Sequence, residues 1–322
     1  MCQDVVIDCA GAAMGGAARF LKELDAWIGE GTNGPKIIGR DQSLSPSWLV
    51  KRERHICDSA QRIALNNVSF ILGRGPRTVL LRNALHFATA GELAGLGYDL
   101  PPAIKVQIPI VRAAVRRADT VVVPCTAMAD RVARFVPKVA ERIVVRPHPV
   151  ASRPWAGFGV SGKELLMPIL NAPYKNLEFH LANVLEASQE ATLDRVYVTA
   201  EATEFSGQLR SDPRVEFVGQ LSASDLDRYW QLCRAIYFPT QLESFGYPLA
   251  EARANGRRVV ALNTSQNREI AGSALAAFEL DDRDSLAAAI DDAMGVTRSP
   301  DRETFDPNSY FSWLTGGGAH EK

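Results

Sequence analysis

Short β-rich runs alternate with longer helical stretches along this chain, and the alternation breaks once. Runs at 5–9, 36–39, 68–71, 78–82, 120–123 and 142–146 read as strands, and helices are expected at about 17–28, 50–65, 103–118 and 127–135. The break comes where Pro147, Pro149 and Pro154 meet Gly157, Gly159 and Gly162, residues that carry neither a helix nor a central strand. Beyond it the pattern restarts, with strands at 164–169, 195–199, 215–218 and 235–238. Helices follow at about 175–187, 223–233, 248–255 and 284–294. Repeated β-α-β alternation specifies parallel sheets with helices on both faces, an α/β fold. The pause therefore reads as a junction near 148–162, giving an N-terminal domain at 1–155 and a C-terminal domain at 156–322, with a disordered tail at 315–322. The length of 322 residues agrees with two such domains.

The net charge of −1 conceals an uneven distribution. Residues 1–155 hold 21 Lys and Arg against 13 Asp and Glu, and the remainder holds 15 against 24. A basic first half suits an anionic partner, such as a lipid phosphate or a membrane surface; arginines that merely solvate helices give the same count. No run of 18 apolar residues occurs, and the first thirty residues lack a secretory layout, since Asp4 and Asp8 interrupt the apolar stretch. The five cysteines are scattered without a close pair, so free thiols in a reducing cytoplasm are expected. His55, His86, His148, His180 and His320 show no metal-ligand spacing, and Asp281, Asp282 and Asp284 precede a predicted helix and read as capping residues.

The stretch with most chemical content is Glu243-Ser244-Phe245-Gly246-Tyr247-Pro248-Leu249-Ala250-Glu251. It follows a predicted strand, and open α/β sheets bind ligands at the carboxyl ends of strands. Pro248 suits a first helical turn, and Asn255-Gly256 supplies a stop signal. A helix start here presents free N–H groups and a positive dipole end, which suit a diphosphate. Carboxylates beside it can accept hydrogen bonds from sugar or ribose hydroxyls. On spacing alone, two glutamates eight apart equally describe a capped surface helix.

Set in its wider context, this stretch resembles the Glu-x7-Glu motif of the family 4 retaining glycosyltransferases, which have the GT-B fold. Five further segments are similar to that family in the same order: Arg117 through Met128, Arg146-Pro147-His148-Pro149-Val150, Ala172-Pro173-Tyr174-Lys175-Asn176-Leu177, Arg214-Val215-Glu216-Phe217-Val218-Gly219 and Arg268-Glu269-Ile270-Ala271-Gly272. The resemblance implies two Rossmann-like domains whose parallel sheets face across a cleft, the first mainly for the acceptor and the second mainly for a nucleotide-sugar donor. It implies that Glu251 binds ribose hydroxyls and that Glu243 lies beside the transferred sugar. The backbone of Phe245 and Gly246 lies near sugar and diphosphate, Lys175 neutralises the diphosphate, and Gly219 lets the base approach. Gly15 and Gly16, after the first strand, face the donor phosphate and the acceptor, or else form a tight turn only. No metal or other cofactor is obligatory; the co-substrate is a nucleotide diphosphate sugar of the UDP or GDP type. The acceptor stays open among glycans, lipid-linked molecules and small molecules; the basic first half points to an anionic acceptor or to peripheral contact with an anionic membrane, or else only to solvated helices, and no nucleic acid partner is expected. A cytoplasmic protein is expected.

Two positions depart from the family pattern. An arginine is usual five residues before the phosphate lysine, and Leu170 stands there, leaving Arg40, Arg82 or Arg268 to replace the missing cation. A histidine is usual after a strand in the middle of the first domain, where this chain has Asn83; His86, three residues on, either turns to the reacting sugar or packs at the strand end. These departures keep alive a nucleotide-sugar-binding subunit without activity. The glycine loop with Asp41 keeps alive an NAD(P)-dependent oxidoreductase, though Gly11 to Gly16 lacks the full dinucleotide fingerprint. Two weaker features complete the reading. Trp48 to His55 is basic with an aromatic start, as in an interfacial helix or a solvated one. Tyr310-Phe311-Ser312-Trp313 resembles the family's closing segment without the helix that usually follows.

Overall fold

A computed structural model describes residues 5–12, 15–29, 34–54, 56–154, 160, 162–188, 193–295 and 297–316. The chain forms two compact units. The first runs to Ala151 and also takes Glu243–Phe245 and the segment from Phe305; the second comprises Ser152–Leu242 and Gly246–Thr304.

In the first unit, β1 (Val5–Asp8), α1 (Gly15–Gly29), β2 (Lys36–Ile38), α2 (Pro46–Glu53), β3 (Gln61–Ala64), β4 (Arg77–Leu80), α3 (Ala90–Gly95), α4 (Pro102–Val115), β5 (Thr120–Val123), α5 (Thr126–Phe135) and β6 (Ile143–Val145) follow in order. The six strands are parallel in the order β2-β1-β3-β4-β5-β6. A strand covered on both faces reads as a continuous apolar run, which is why Thr120-Val121-Val122-Val123 is buried throughout.

The second unit repeats the plan. Its elements are β7 (Glu164–Met167), α6 (Leu177–Ala187), β8 (Arg195–Val198), α7 (Gly207–Ser211), β9 (Val215–Phe217), α8 (Ala223–Leu232), β10 (Ala235–Phe238), α9 (Tyr247–Asn255), β11 (Arg258–Leu262), α10 (Ser265–Ala271), β12 (Leu275–Phe278) and α11 (Arg283–Met294). Again all six strands are parallel, ordered β12-β11-β10-β7-β8-β9. Among the described residues no helix is long and apolar enough to cross a membrane.

Four expectations need correction. The strand expected at 68–71 is a loop, and the helix expected at 50–65 ends at Glu53, because the true strand is the polar-looking Gln61–Ala64. Its polar side chains are satisfied inside: Gln61 donates to the Leu314 carbonyl at 3.0 Å, and the Arg62 guanidinium donates to the carbonyls of Cys57 and Ala60, each at 2.8 Å. A last helix, α12 (Pro307–Thr315), packs on α1 in the first unit. The closing segment therefore lies apart from the domain that a single cut after residue 155 assigns it to. Phe20 holds it edge-on to Phe311 at 5.3 Å and to Tyr310 at 5.6 Å. Finally, Cys9, Cys125 and Cys233 are free and buried, but Cys57 is disulfide-bonded, so five free thiols are not present. Residues 317–322 of the expected tail lie outside the described residues.

Candidate functional site

In a parallel sheet every strand delivers its following loop to the same edge, and each unit has one such edge. At that edge of the first unit stand the glycine loop after β1, the turn after β4, the start of α5 after β5, and Glu243–Phe245. Gly15 opens α1 with a φ of +56°, and Gly15 and Gly16 are both exposed. Arg82 organises the edge. Its guanidinium donates to the Gly16 carbonyl and lies 4.6 Å over the Phe20 ring. Its backbone N–H donates to Asn67 Oδ1 at 2.7 Å, and its carbonyl accepts from Ser244 Oγ at 2.8 Å. Cys125 Sγ donates to the Ser244 carbonyl at 3.5 Å, which fixes the residue after Glu243 from a second side.

The two residues expected to act after β4 sit differently from one another. Asn83 caps a 3-10 turn at Ala84–Phe87, its side-chain oxygen accepting from the Leu85 N–H at 3.0 Å. His86 is buried, with Nε2 3.3 Å from Gln107 Oε1, while its carbonyl accepts from the Arg112 guanidinium at 2.8 and 3.0 Å. Burial pushes the imidazole below its ordinary pKa and keeps it neutral near pH 7. His86 thus lies buried within the 3-10 turn after β4. Sequence reasoning gave His148 no role. It is fully buried with its ring edge-on to Phe20 at 5.5 Å and to Phe245 at 5.0 Å, and desolvation holds its pKa well below the usual value.

The second unit presents Lys175, Gly219, Gly246 and Glu251 from the loops and helix starts at its own strand-end edge. Lys175 closes a 3-10 turn after β7, and Asn176, with φ +43°, hands the chain to α6. Gly246 begins α9 at φ +83°; a Cβ there would lie 2.8 Å from Leu249 Cδ1 and 3.1 Å from the Phe238 ring. Glu251, one turn on, is buried, and its carbonyl accepts from Asn255 Nδ2 at 2.7 Å. Gly219 also has positive φ, +65°, and a Cβ there would meet Glu201 Oε1 at 2.7 Å. Neither the carboxylate of Glu201 nor the ordering role of Ser244 was visible in the sequence; the Asn66-Asn67 pair, whose Asn67 adopts a left-handed φ of +65° that Asn tolerates, is a local signal that could have drawn attention to Arg82 and its neighbours.

Helix starts separate these loops from their neighbours. Side chains of Ser222, Thr264 and Asp282 cap α8, α10 and α11, whereas α6 and α9, together with the one-turn α7, begin without a side-chain cap. The longer uncapped helices are those entered from Lys175 and from Gly246. Their first-turn N–H groups are suited to an anion. Beside the Lys175 turn lies a cavity of about 160 Å³ lined by Asn171, Pro173, Asn176, Glu178, Glu204 and Phe205. Leu170 is 43% exposed. Of the three arginines considered as replacements for the missing cation, Arg40 pairs with Asp25, and Arg40 and Arg82 both belong to the first unit. Arg268 stands in the second unit, exposed on α10 and donating to Asn263 Oδ1.

Comparison with known proteins gives the fold a context. Residues 167–295, from the end of β7 through α11, match the family model described as Glycosyl transferases group 1. No curated protein matches the chain. Among solved structures, TarM has a TM-score of 0.56 at 13% identity, over 85% of this chain and 57% of its own, so this chain spans little more than half of TarM. A S. aureus TarM variant has been solved with fondaparinux, alpha-GlcNAc-glycerol and UDP. WaaG, a glycosyltransferase involved in lipopolysaccharide biosynthesis, gives 0.61 at 12% identity over 98% of both chains. Sucrose-phosphate synthase from Thermosynechococcus elongatus gives 0.60 at 15% identity over 89% of this chain and 88% of its own. The α/β architecture with two six-stranded parallel sheets is thus the GT-B fold class, and the family match falls within the second unit.

Proposed function

We propose that this protein is a retaining glycosyltransferase that moves a sugar from a UDP- or GDP-type nucleotide sugar to a glycan, lipid-linked or small-molecule acceptor. The observation that carries the reading is the pair of uncapped helix starts beside Lys175 and Gly246, within the stretch matching Glycosyl transferases group 1. An ammonium and two sets of open N–H groups suit a diphosphate. In this reading Glu251 accepts hydrogen bonds from ribose hydroxyls, Gly219 admits the base, and Lys175 offsets the diphosphate charge. Glu243 lies beside the transferred sugar, with the backbone of Phe245 and Gly246 near sugar and phosphate. Gly15 and Gly16 receive the phosphate and acceptor side. His86 takes no direct part, because its ring is buried. As the bond to the leaving phosphate breaks, positive charge builds on the sugar, and the departing phosphate with the fixed dipoles around it stabilises that charge.

Expected effects divide by residue. Glu251→Ala should weaken nucleotide binding, about tenfold or more for lost charge-assisted hydrogen bonds. Glu243→Ala should lower turnover more than affinity. Release of nucleotide from a panel of donor sugars, followed for both variants, checks the division; normal turnover in both overturns these roles. The exposed Leu170 and the already engaged oxygen of Asn83 favour one second reading, a subunit that binds donor and turns nothing over. Binding without turnover across donor and acceptor panels would identify it.

A further inference from the structure

Five of the large apolar side chains that stand exposed lie on three segments of the first unit. Val50 on α2 is 58% exposed, Ile71 and Leu72 on the loop before β4 are 52% and 61% exposed, and Val106 and Ile110 on α4 are 64% and 48% exposed. The segments are tied together. Arg52 of α2 donates to the carbonyls of Val68 at 3.0 Å and Ser69 at 2.7 Å, and the Glu53 carboxylate accepts from the N–H groups of Ile71 at 2.8 Å and Leu72 at 3.2 Å. Ile71 in turn offers its carbonyl to Arg77 at 3.4 Å, and Arg77 holds Asp119, the residue that leads from α4 into β5. Crossovers between parallel strands are right-handed, and both β2 to β3 and β4 to β5 run the same way across the sheet, so α2 and α4 cover one face.

Cations outnumber acids among the exposed charges of these segments and their flanks. Lys51, Arg54, Arg74, Lys105, Arg116 and Arg117 are all exposed, and residues 100–118 contain no acid at all. Glu53 takes the loop amides, Asp58 pairs with Arg74 at 3.3 Å, Asp119 pairs with Arg77 at 3.1 Å and Asp99 lies 3.9 Å from Lys105, so the excess of positive charge is carried by Lys51, Arg54, Arg116 and Arg117. Trp48 and Arg52 play no part in this surface, since both turn inward to Asp8, at 3.1 and 2.6 Å. Apolar side chains set among cations match an anionic lipid surface, where headgroups meet the cations and acyl chains meet the apolar groups. A second copy of the same face would oppose like charges.

We infer that this face of the first unit docks on an anionic bilayer, with Ile71, Leu72, Val106 and Ile110 entering the interface and the surrounding Lys and Arg meeting lipid phosphates. Docking is independent of sugar transfer, so it is tested without donor. The full chain is sedimented with phosphatidylcholine vesicles, with and without phosphatidylglycerol, across a salt series. Binding should require phosphatidylglycerol and weaken as salt rises. In the Ile71→Asp/Leu72→Asp variant it should fall about tenfold or more, and likewise in Val106→Asp/Ile110→Asp, since each replaces two inserting groups with anions. Exposed positions leave the fold intact, which circular dichroism checks. Failure of the wild type to bind at low salt overturns the inference, as does equal binding to neutral vesicles or unchanged binding by both variants. A dimer in sedimentation equilibrium that either variant dissolves would assign the face to a second copy instead.

Discussion

Single residues set the local geometry at both strand-end edges. Gly246 holds a left-handed φ of +83° at the start of α9, with space for hydrogen alone. Gly246→Ala should therefore cost about 1–3 kcal/mol, through strain and the contact with Leu249, and lower the urea midpoint accordingly. An unchanged midpoint would show that the turn relaxes freely. Asp8 plays a comparable part in the first unit. Its carboxylate is buried at the end of β1, paired with Arg52 at 2.6 Å, and accepts from Trp48 Nε1 at 3.1 Å and the Ala10 N–H at 3.1 Å. Removing one partner strands a buried charge, so Arg52→Met should destabilise by about 3–5 kcal/mol. Adding Asp8→Asn to that variant should recover part of the loss; a double variant no more stable than Arg52→Met would contradict this picture.

Elements were legible where burial and composition agree. The strands at 120–123 and 235–238, apolar but for Thr120, appear where the sequence puts them, because a strand buried on both faces is largely apolar. Gln61–Ala64 was hidden for the opposite reason. Its polar side chains are satisfied by carbonyls that no local pattern reveals, while the β-rich residues Val68 to Ile71 form a loop whose carbonyls serve Arg52. The loop positions of the second unit were more legible than the first-unit edge. Lys175, Gly219, Gly246 and Glu251 sit in short local signatures, but Ser244 contacts Cys125 and Arg82, and His148 contacts Phe20, each more than a hundred positions away. Buried histidines add a pH dependence at this scale. His86, His148 and His180 all have folded pKa values below the ordinary 6.5, His180 at about 4. The unfolded chain binds protons first, so their contribution is complete above pH 6.5 and declines as pH falls, that of His180 being lost as pH passes about 4. For His180 the loss should reach about 3 kcal/mol, and His180→Gln should flatten the slope of stability against pH over that window. An identical slope in the variant would remove His180 as a cause.

At the scale of the whole molecule, the sequence showed two units but not how the chain divides between them. Proline and glycine mark the first passage, between Ala151 and Ser152; nothing marks the second, where Phe305 rejoins the first unit because Phe305, Tyr310, Phe311 and Leu314 are buried. The short segment Glu243–Phe245 likewise belongs to the first unit, so the Glu-x7-Glu stretch is shared, Glu243 in one unit and Glu251 in the other. In the proposed function the two carboxylates have separate duties, one toward the sugar and one toward the nucleotide. Calorimetric titration of the full chain with UDP, GDP, ADP and TDP, in the wild type and in Glu251→Ala, tests the nucleotide-sugar reading most directly. Selective binding of UDP or GDP by the wild type, weakened about tenfold or more in the variant, is the expected result. Absence of binding to all four, or equal binding by the two proteins, would contradict it.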